Sequence, residues 1–319
     1  MHAPIQPELR DRLQRHVERL AGEIGERNIF QSAALDAARD YIRSEWEVQG
    51  YSVTLQWYEA QGQRCANIEV AAPGTVQPQK ILVIGAHYDS VRGSPGADDN
   101  ASGIATLLEL SRCFAFRPAE LTLRFVAFVN EEMPFFLTGR QGSMVYARSC
   151  RRRGDSILAM ISLECLGYYR QEKRSQKYPP FFRFFYPDRG NFVALVSDFR
   201  SRPAMRALAR TFRACSDFPL EHVATFRWIP GVALSDHLSF WRMGYRAVMV
   251  TDTAFYRNPF YHTRRDAPGT LDYAALARLT EGLQGTLEVM ARADSANLPK
   301  PRSYPDLEAT REGHDAGSS

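Results

Sequence analysis

No run in this sequence approaches the roughly 18 consecutive apolar residues that a membrane-spanning helix needs. The opening stretch, MHAPIQPELRDRLQRHVERL, has no continuous apolar core of the kind a secretory leader carries. Cysteine is sparse. Cys65, Cys113, Cys150, Cys165 and Cys215 are an odd number without C-x-x-C spacing, which argues against both a disulfide framework and a cysteine zinc site. The setting expected from these absences is reducing and cytoplasmic, with no membrane partner. Charge of one sign is also lacking: 40 Lys and Arg against 36 Asp and Glu leave a net +4. Basic residues cluster only locally, as at Arg151, Arg152 and Arg153, and such runs read as solvated surface, so no nucleic-acid partner is expected.

What is present is the composition of an ordinary globular chain, 319 residues with 45% hydrophobic and 24% charged. From Glu8 to Glu47 apolar residues recur at three- and four-residue steps, which predicts two amphipathic helices split near Asn28. Alternating runs over 51–59 and 66–71 predict neighbouring strands with Gly62 in the turn. Lys80 to Ala86 is continuously apolar, as a strand buried on both faces must be. Further strands are predicted at 121–129, 157–164 and 247–251, and helices at 101–114, 143–152, 204–215 and 273–292. This alternation predicts an α/β fold, a three-layer α/β/α arrangement around a central mixed, largely parallel sheet. Residues 1–294 are expected to form one domain, 295–319 a polar, flexible tail, and 168–189 a long ordered loop near the site.

In open α/β sheets ligands gather beyond the carboxyl ends of the strands, and the carboxylates and histidines lie there. His87 and Asp89 follow one predicted strand, Glu131 and Glu132 a second, Glu164 closes a third, and His262 lies in the loop after a fourth. Glu131 and Glu132 come directly after a largely apolar strand, where unpaired charge is costly and a cation would neutralise it. Glu164 sits in the apolar context Met160-Ile-Ser-Leu-Glu-Cys-Leu, where protonation or an ion-pair partner is the alternative to a metal. Mixed imidazole and carboxylate ligands suit zinc, and a shared carboxylate can hold two ions about 3.5–4 Å apart. Asp98, among the small residues of Gly96-Ala-Asp-Asp-Asn-Ala-Ser-Gly, is the expected bridge. The lone His16 and His222 are expected to have no such role.

The motifs HYDS, GADDNASG, NEE, SDH and YHT fall in one order over residues 87 to 263. Together they resemble the zinc aminopeptidase family that includes bacterial leucyl-type aminopeptidases, with glutamate carboxypeptidase II and the glutaminyl cyclases as more distant relatives. The resemblance implies that His87 binds one zinc ion, Asp98 bridges, and Glu132 and His262 bind the other, with Glu131 as general base. It also implies a cis peptide bond at Asp98–Asp99 and a role for Asp89 in orienting His87 by accepting its other ring proton. Asp236 and His237 would lie nearby without binding metal. Family members often carry aspartate where Glu164 stands, which bears on the second ion's geometry.

The implied activity is two-zinc hydrolysis of N-terminal residues from peptides with a free amino terminus, with cobalt or manganese as possible substitutes, in a monomer or small homo-oligomer. Phe135, Phe136, Tyr256, Phe260 and Tyr261 are candidates to line the first side-chain pocket. Rival readings are a glutaminyl-cyclase-like enzyme, a carboxypeptidase-like relative using Arg257 as a carboxylate clamp, and a catalytically inactive binding module.

Overall fold

A computed structural model describes residues 7–292; the expected tail at 295–319 lies outside the described residues. Helix α1 (Pro7–Val17) runs on through a wider π-helical turn (Glu18–Ile24), and α2 (Ser32–Val48) follows. Leu9, Leu13, Val17 and Leu20, then Ala38, Ile42 and Trp46, are buried, so these members of the stripes predicted from spacing pack, while Ala37, also expected in the second stripe, is exposed. Strands β1 (Thr54–Ala60) and β2 (Gln63–Ala72) form a hairpin about Gly62. Strand β3 (Gly74–His87), helix α3 (Gly103–Phe114), strand β4 (Ala119–Phe128), helix α4 (Gly142–Arg153) and strand β5 (Ser156–Glu164) come next. After a long loop come β6 (Val193–Ser197), α5 (Arg202–Cys215), β7 (Leu220–Ala224), α6 (His237–Arg242), β8 (Ala247–Thr251) and α7 (Tyr273–Met290).

The eight strands form one mixed sheet in the order β1-β2-β4-β3-β5-β8-β6-β7. Its centre, β4-β3-β5-β8, is parallel, so four strands end at the same edge, with His87 opposite Phe128 and Glu164 opposite Thr251. Helices cover both faces. Along β3, Leu82, Ile84 and Ala86 join a core shared with α1, α2, α3, α5 and α7, while Ile81 and Val83 join a smaller one with α4 and α6. The two-residue alternation is what lets one strand serve both cores. Burial of each large apolar side chain contributes about 1.5–3 kcal/mol, and the central strands carry little else.

The three-layer α/β fold is as expected. Three elements are absent from the sequence reading: β6, β7 and α6, each five or six residues long. Strand β3 also begins earlier than Lys80, its first half being an exposed, irregularly paired extension. None of the described helices is long and apolar enough to cross a membrane, and all five cysteines are free thiols.

Candidate active site

His87 is the last residue of β3 and Glu164 the last of β5, so both side chains are fixed by sheet pairing. Between β3 and α3 the chain turns at Gly96 (φ +61), where an added Cβ would lie 2.4 Å from the Asp99 carbonyl oxygen; glycine is required both by the dihedral and by the space. The turn Ala97–Ser102 is irregular, with Asp99 at φ −107, ψ 86 and a cis peptide bond at Asp99–Asn100. It directs the Asp99 carboxylate between two histidines. Asp99 Oδ1 lies 3.1 Å from His87 Nε2 and Asp99 Oδ2 lies 2.9 Å from His262 Nε2. The same ring nitrogens each meet a glutamate as well: Glu164 Oε2 is 3.4 Å from His87 Nε2, and Glu132 Oε1 is 3.3 Å from His262 Nε2. Two groups result, His87/Asp99/Glu164 and Asp99/Glu132/His262, each with its ligand atoms within 4.8 Å of one another and with Asp99 common to both.

Asp99, one residue on from the expected bridge Asp98, is the carboxylate that faces both histidines. Asp98 faces away: its carboxylate accepts the Gly167 N–H at 2.9 Å and the Asn258 Nδ2–H at 2.8 Å, and it lies against Asp252. Burial, then the neighbouring Asp252, pushes the Asp98 carboxyl well above the usual range. The cis bond likewise falls at Asp99–Asn100 instead of Asp98–Asp99. Asp266 holds the turn from below, its carboxylate accepting the N–H groups of Asp98 (2.9 Å) and Asp99 (3.2 Å).

Asp89 also acts differently from expectation. His87 Nδ1 meets the backbone carbonyl of Asp89 at 3.1 Å, whereas the Asp89 carboxylate, 3.6 Å away, accepts the N–H groups of Glu131 and Glu132 at 3.1 Å each. It thus orients His87 through the main chain and fixes the two glutamates through its side chain. Glu164 is held by Ser235, whose hydroxyl donates to Oε2 at 2.7 Å. Arg27, fully buried behind the loop, donates to the carbonyls of Tyr88 (2.7 Å) and Gly96 (2.8 Å) and to that of Pro95. Asp99, Asp266, Asn258, Ser235 and Arg27 were not singled out from sequence; the doubled aspartate was the only local signal, and it did not say which of the two faces inward.

The electrostatics describe buried carboxylates that raise one another and the histidines between them. Burial opposes protonation of His87, but Glu164, Asp89 and Asp99 outweigh it and hold the ring well above its ordinary pKa. His262 is carried to about 10 against burial by Asp99 and Glu132. Burial, then Asp99, lifts Glu132 to about 7, and burial with Glu132 and Glu164 lifts Glu131 well above the carboxylate range. His87 Nε2, Asp99 Oδ1 and Glu132 Oε1 are buried and make no hydrogen bond. Orphaned ligand atoms of nitrogen and oxygen, converging from the end of β3, the turn before α3 and the loop after β4, fit divalent cations of the borderline kind. Asp236 and His237 are buried at the start of α6; both Asp236 oxygens lack partners, and His237 Nε2 meets the Val232 carbonyl at 2.8 Å.

Beside the cluster an apolar pocket runs from Glu164 and Tyr261 to Met249, Ile229, Val232 and Phe182. Of the aromatic candidates, Tyr256 and Tyr261 line it; Phe135 is core, and Phe260 packs against Tyr168. Arg257, the candidate clamp, is buried with its guanidinium committed to Gln176 (2.8 Å) and the carbonyls of Tyr168 and Phe192.

Carboxylates and histidines gathered at the carboxyl edge of a mixed α/β sheet, beside an apolar pocket, form a candidate metal centre of the kind a hydrolase uses. The chain belongs to peptidase family M28, whose model matches residues 67–286, and is by that membership a metallopeptidase. It is 36% identical over 282 residues to the uncharacterized protein YfbL of Escherichia coli, with 86% of each chain covered. Leucine aminopeptidase 1 of Fusarium vanettenii is 28% identical over 240 residues, covering 69% of this chain and 55% of its own length; the chain thus spans about half of that relative. Among solved structures, a zinc aminopeptidase from Bacillus subtilis superposes with a TM-score of 0.71 at 14% identity, covering 93% and 99% of the two chains. Glutaminyl cyclase of Bacteroides thetaiotaomicron superposes at 0.65 with 18% identity, covering 88% and 97%. These superpositions establish the shared fold.

Proposed function

We propose that the protein is an aminopeptidase using two zinc ions, one held by His87, Asp99 and Glu164 and the other by Asp99, Glu132 and His262. The observation that carries this reading is the single carboxylate of Asp99 facing two histidines, each backed by its own glutamate. Bound there, such ions lower the pKa of water toward neutrality and polarise a carbonyl group. Glu131 would then take the proton of the attacking water and return it to the leaving amine, general acid–base work open to a buried carboxylate that is not one of the ion-holding groups. Asp89 keeps Glu131 in place through its backbone. The pocket beside Glu164 takes a large apolar side chain at the substrate N-terminus.

Sequestration of Arg257 speaks against a carboxypeptidase, because a terminal carboxylate would find no free guanidinium there. A shared bridge between two ligand groups favours two-ion hydrolysis over one-ion cyclisation of glutaminyl peptides. The test is a panel of aminoacyl reporter amides with free and acetylated amines, with and without chelator. Free-amine substrates with large apolar side chains should be cleaved, acetylated ones spared, and chelation should abolish the activity until zinc is restored. Equal cleavage of blocked substrates, or formation of pyroglutamyl product without hydrolysis, would replace this reading.

A further inference from the structure

The loop over 168–190 carries six Lys or Arg and two Asp or Glu, a net +4 that equals the charge of the whole chain, so the other residues sum to zero. Its centre, Tyr178-Pro-Pro-Phe-Phe-Arg-Phe-Phe-Tyr-Pro, makes a single tight turn (Phe182–Phe184). Phe182 points inward, lining the apolar pocket and stacking on Tyr186. Phe181, Phe184 and Phe185 point outward and are 75%, 68% and 80% exposed. Trp228, next in sequence to Ile229 of the pocket lining, is 76% exposed. Isolated apolar side chains on a surface are ordinary, but three neighbouring phenyl rings held in water are not.

The loop is already ordered. Lys177 N–H donates to the Tyr256 carbonyl at 2.8 Å, Arg170 N–H to that of Gly190 at 2.8 Å, the Tyr178 hydroxyl to that of Pro187 at 2.6 Å, and the Tyr186 hydroxyl to that of His222 at 3.2 Å. Lys173, Arg174 and Arg183 are exposed and have no ion-pair partner among the described residues. Exposed rings and cations without ion-pair partners on one loop match a surface that is apolar beneath and anionic above. A second copy of the chain fits poorly, since it would bring the same +4 against itself. A nucleic-acid strand calls for a groove along which bases stack, and these rings form a knob.

We infer that the 168–190 loop docks the protein on an anionic lipid surface, with Phe181, Phe184 and Phe185 entering the interface and Lys173, Arg174 and Arg183 facing the headgroups. Docking there would set the pocket mouth against the bilayer, so peptides held at the membrane would reach it first.

The test is flotation of the full chain with phosphatidylcholine vesicles, alone or with about one-third phosphatidylserine. Binding is expected only to the anionic vesicles and should weaken with salt. The combined variant F181S/F184S/F185S and the variant K173E/R174E/R183E should each lower partitioning about tenfold or more while hydrolysis of soluble reporters is unchanged. Four results would overturn the inference: no flotation of the wild-type chain, undiminished flotation of the phenylalanine variant, a concentration-dependent dimer that this variant dissolves, or equal binding of single-stranded DNA whether or not the rings are present. None of these readouts depends on the peptidase reading.

Discussion

Glu131 and Glu132 follow the same strand and are both buried, yet their carboxylates meet different neighbours. Glu132 reaches His262 at 3.3 Å, while the Glu131 carboxylate meets the Gln141 amide at 3.5 Å and no histidine among the described residues. Glu131→Gln should therefore keep metal and lose about 10²–10⁴-fold in turnover, because an amide cannot accept the water's proton. Glu132→Gln should lose metal, since a neutral amide replaces an anionic ligand. Zinc content and turnover measured on both variants check the pair; metal loss in the first with retention of metal and activity in the second would reverse the roles. The positions of His87 and Glu164 at strand ends, and of Glu132 and His262 in the loops that follow strands, were legible from sequence because ligand-bearing loops gather at the carboxyl edge of such a sheet. The choice between Asp98 and Asp99 was not. It is decided by Gly167, Asn258 and Asp266, which reach Asp98 from 69 or more residues away and hold it and the backbone while Asp99 faces inward.

At the scale of elements, two junctions set the site's frame. Gly142 opens α4 directly against the end of β4, where an added Cβ would stand 2.2 Å from the Val129 carbonyl oxygen and 2.3 Å from Asn67 Oδ1. Gly142→Ala must push β4 or α4 aside, and should cost about 1–3 kcal/mol, read as a lower denaturant midpoint. Helix α3 is docked on α1 through Glu109, which accepts from Arg12 (2.8 Å) and His16 (3.1 Å). Burial alone would raise this carboxyl, but hydrogen bonds from His16 and Arg12 hold it at about 2. A depressed folded pKa stabilises above the unfolded value and is lost as pH falls, so this docking should weaken from about pH 4.5 down to about pH 2. Wild-type stability measured over that window should fall more steeply than that of Glu109→Gln; parallel curves would remove Glu109 from the account. The long helices and central strands were readable from periodicity. Strands β6 and β7 and helix α6 were not, because five or six residues give too few repeats of either period, and their burial comes from neighbours distant in sequence.

For the whole molecule, family membership and fold agree on a peptidase scaffold, and the particular chemistry rests on how many ions the cluster holds. The account requires two, joined through Asp99. The most direct measurement is the metal content of the purified chain during stepwise return of zinc to metal-free protein, with hydrolysis followed in parallel for the wild type, Asp99→Asn and Asp98→Asn. Wild-type protein should bind two equivalents and reach full activity only with both. Asp99→Asn should lose affinity at both sites, and Asp98→Asn should retain two equivalents with activity nearer to wild type. Saturation of activity at one equivalent, or loss of metal in Asp98→Asn with retention in Asp99→Asn, would contradict it.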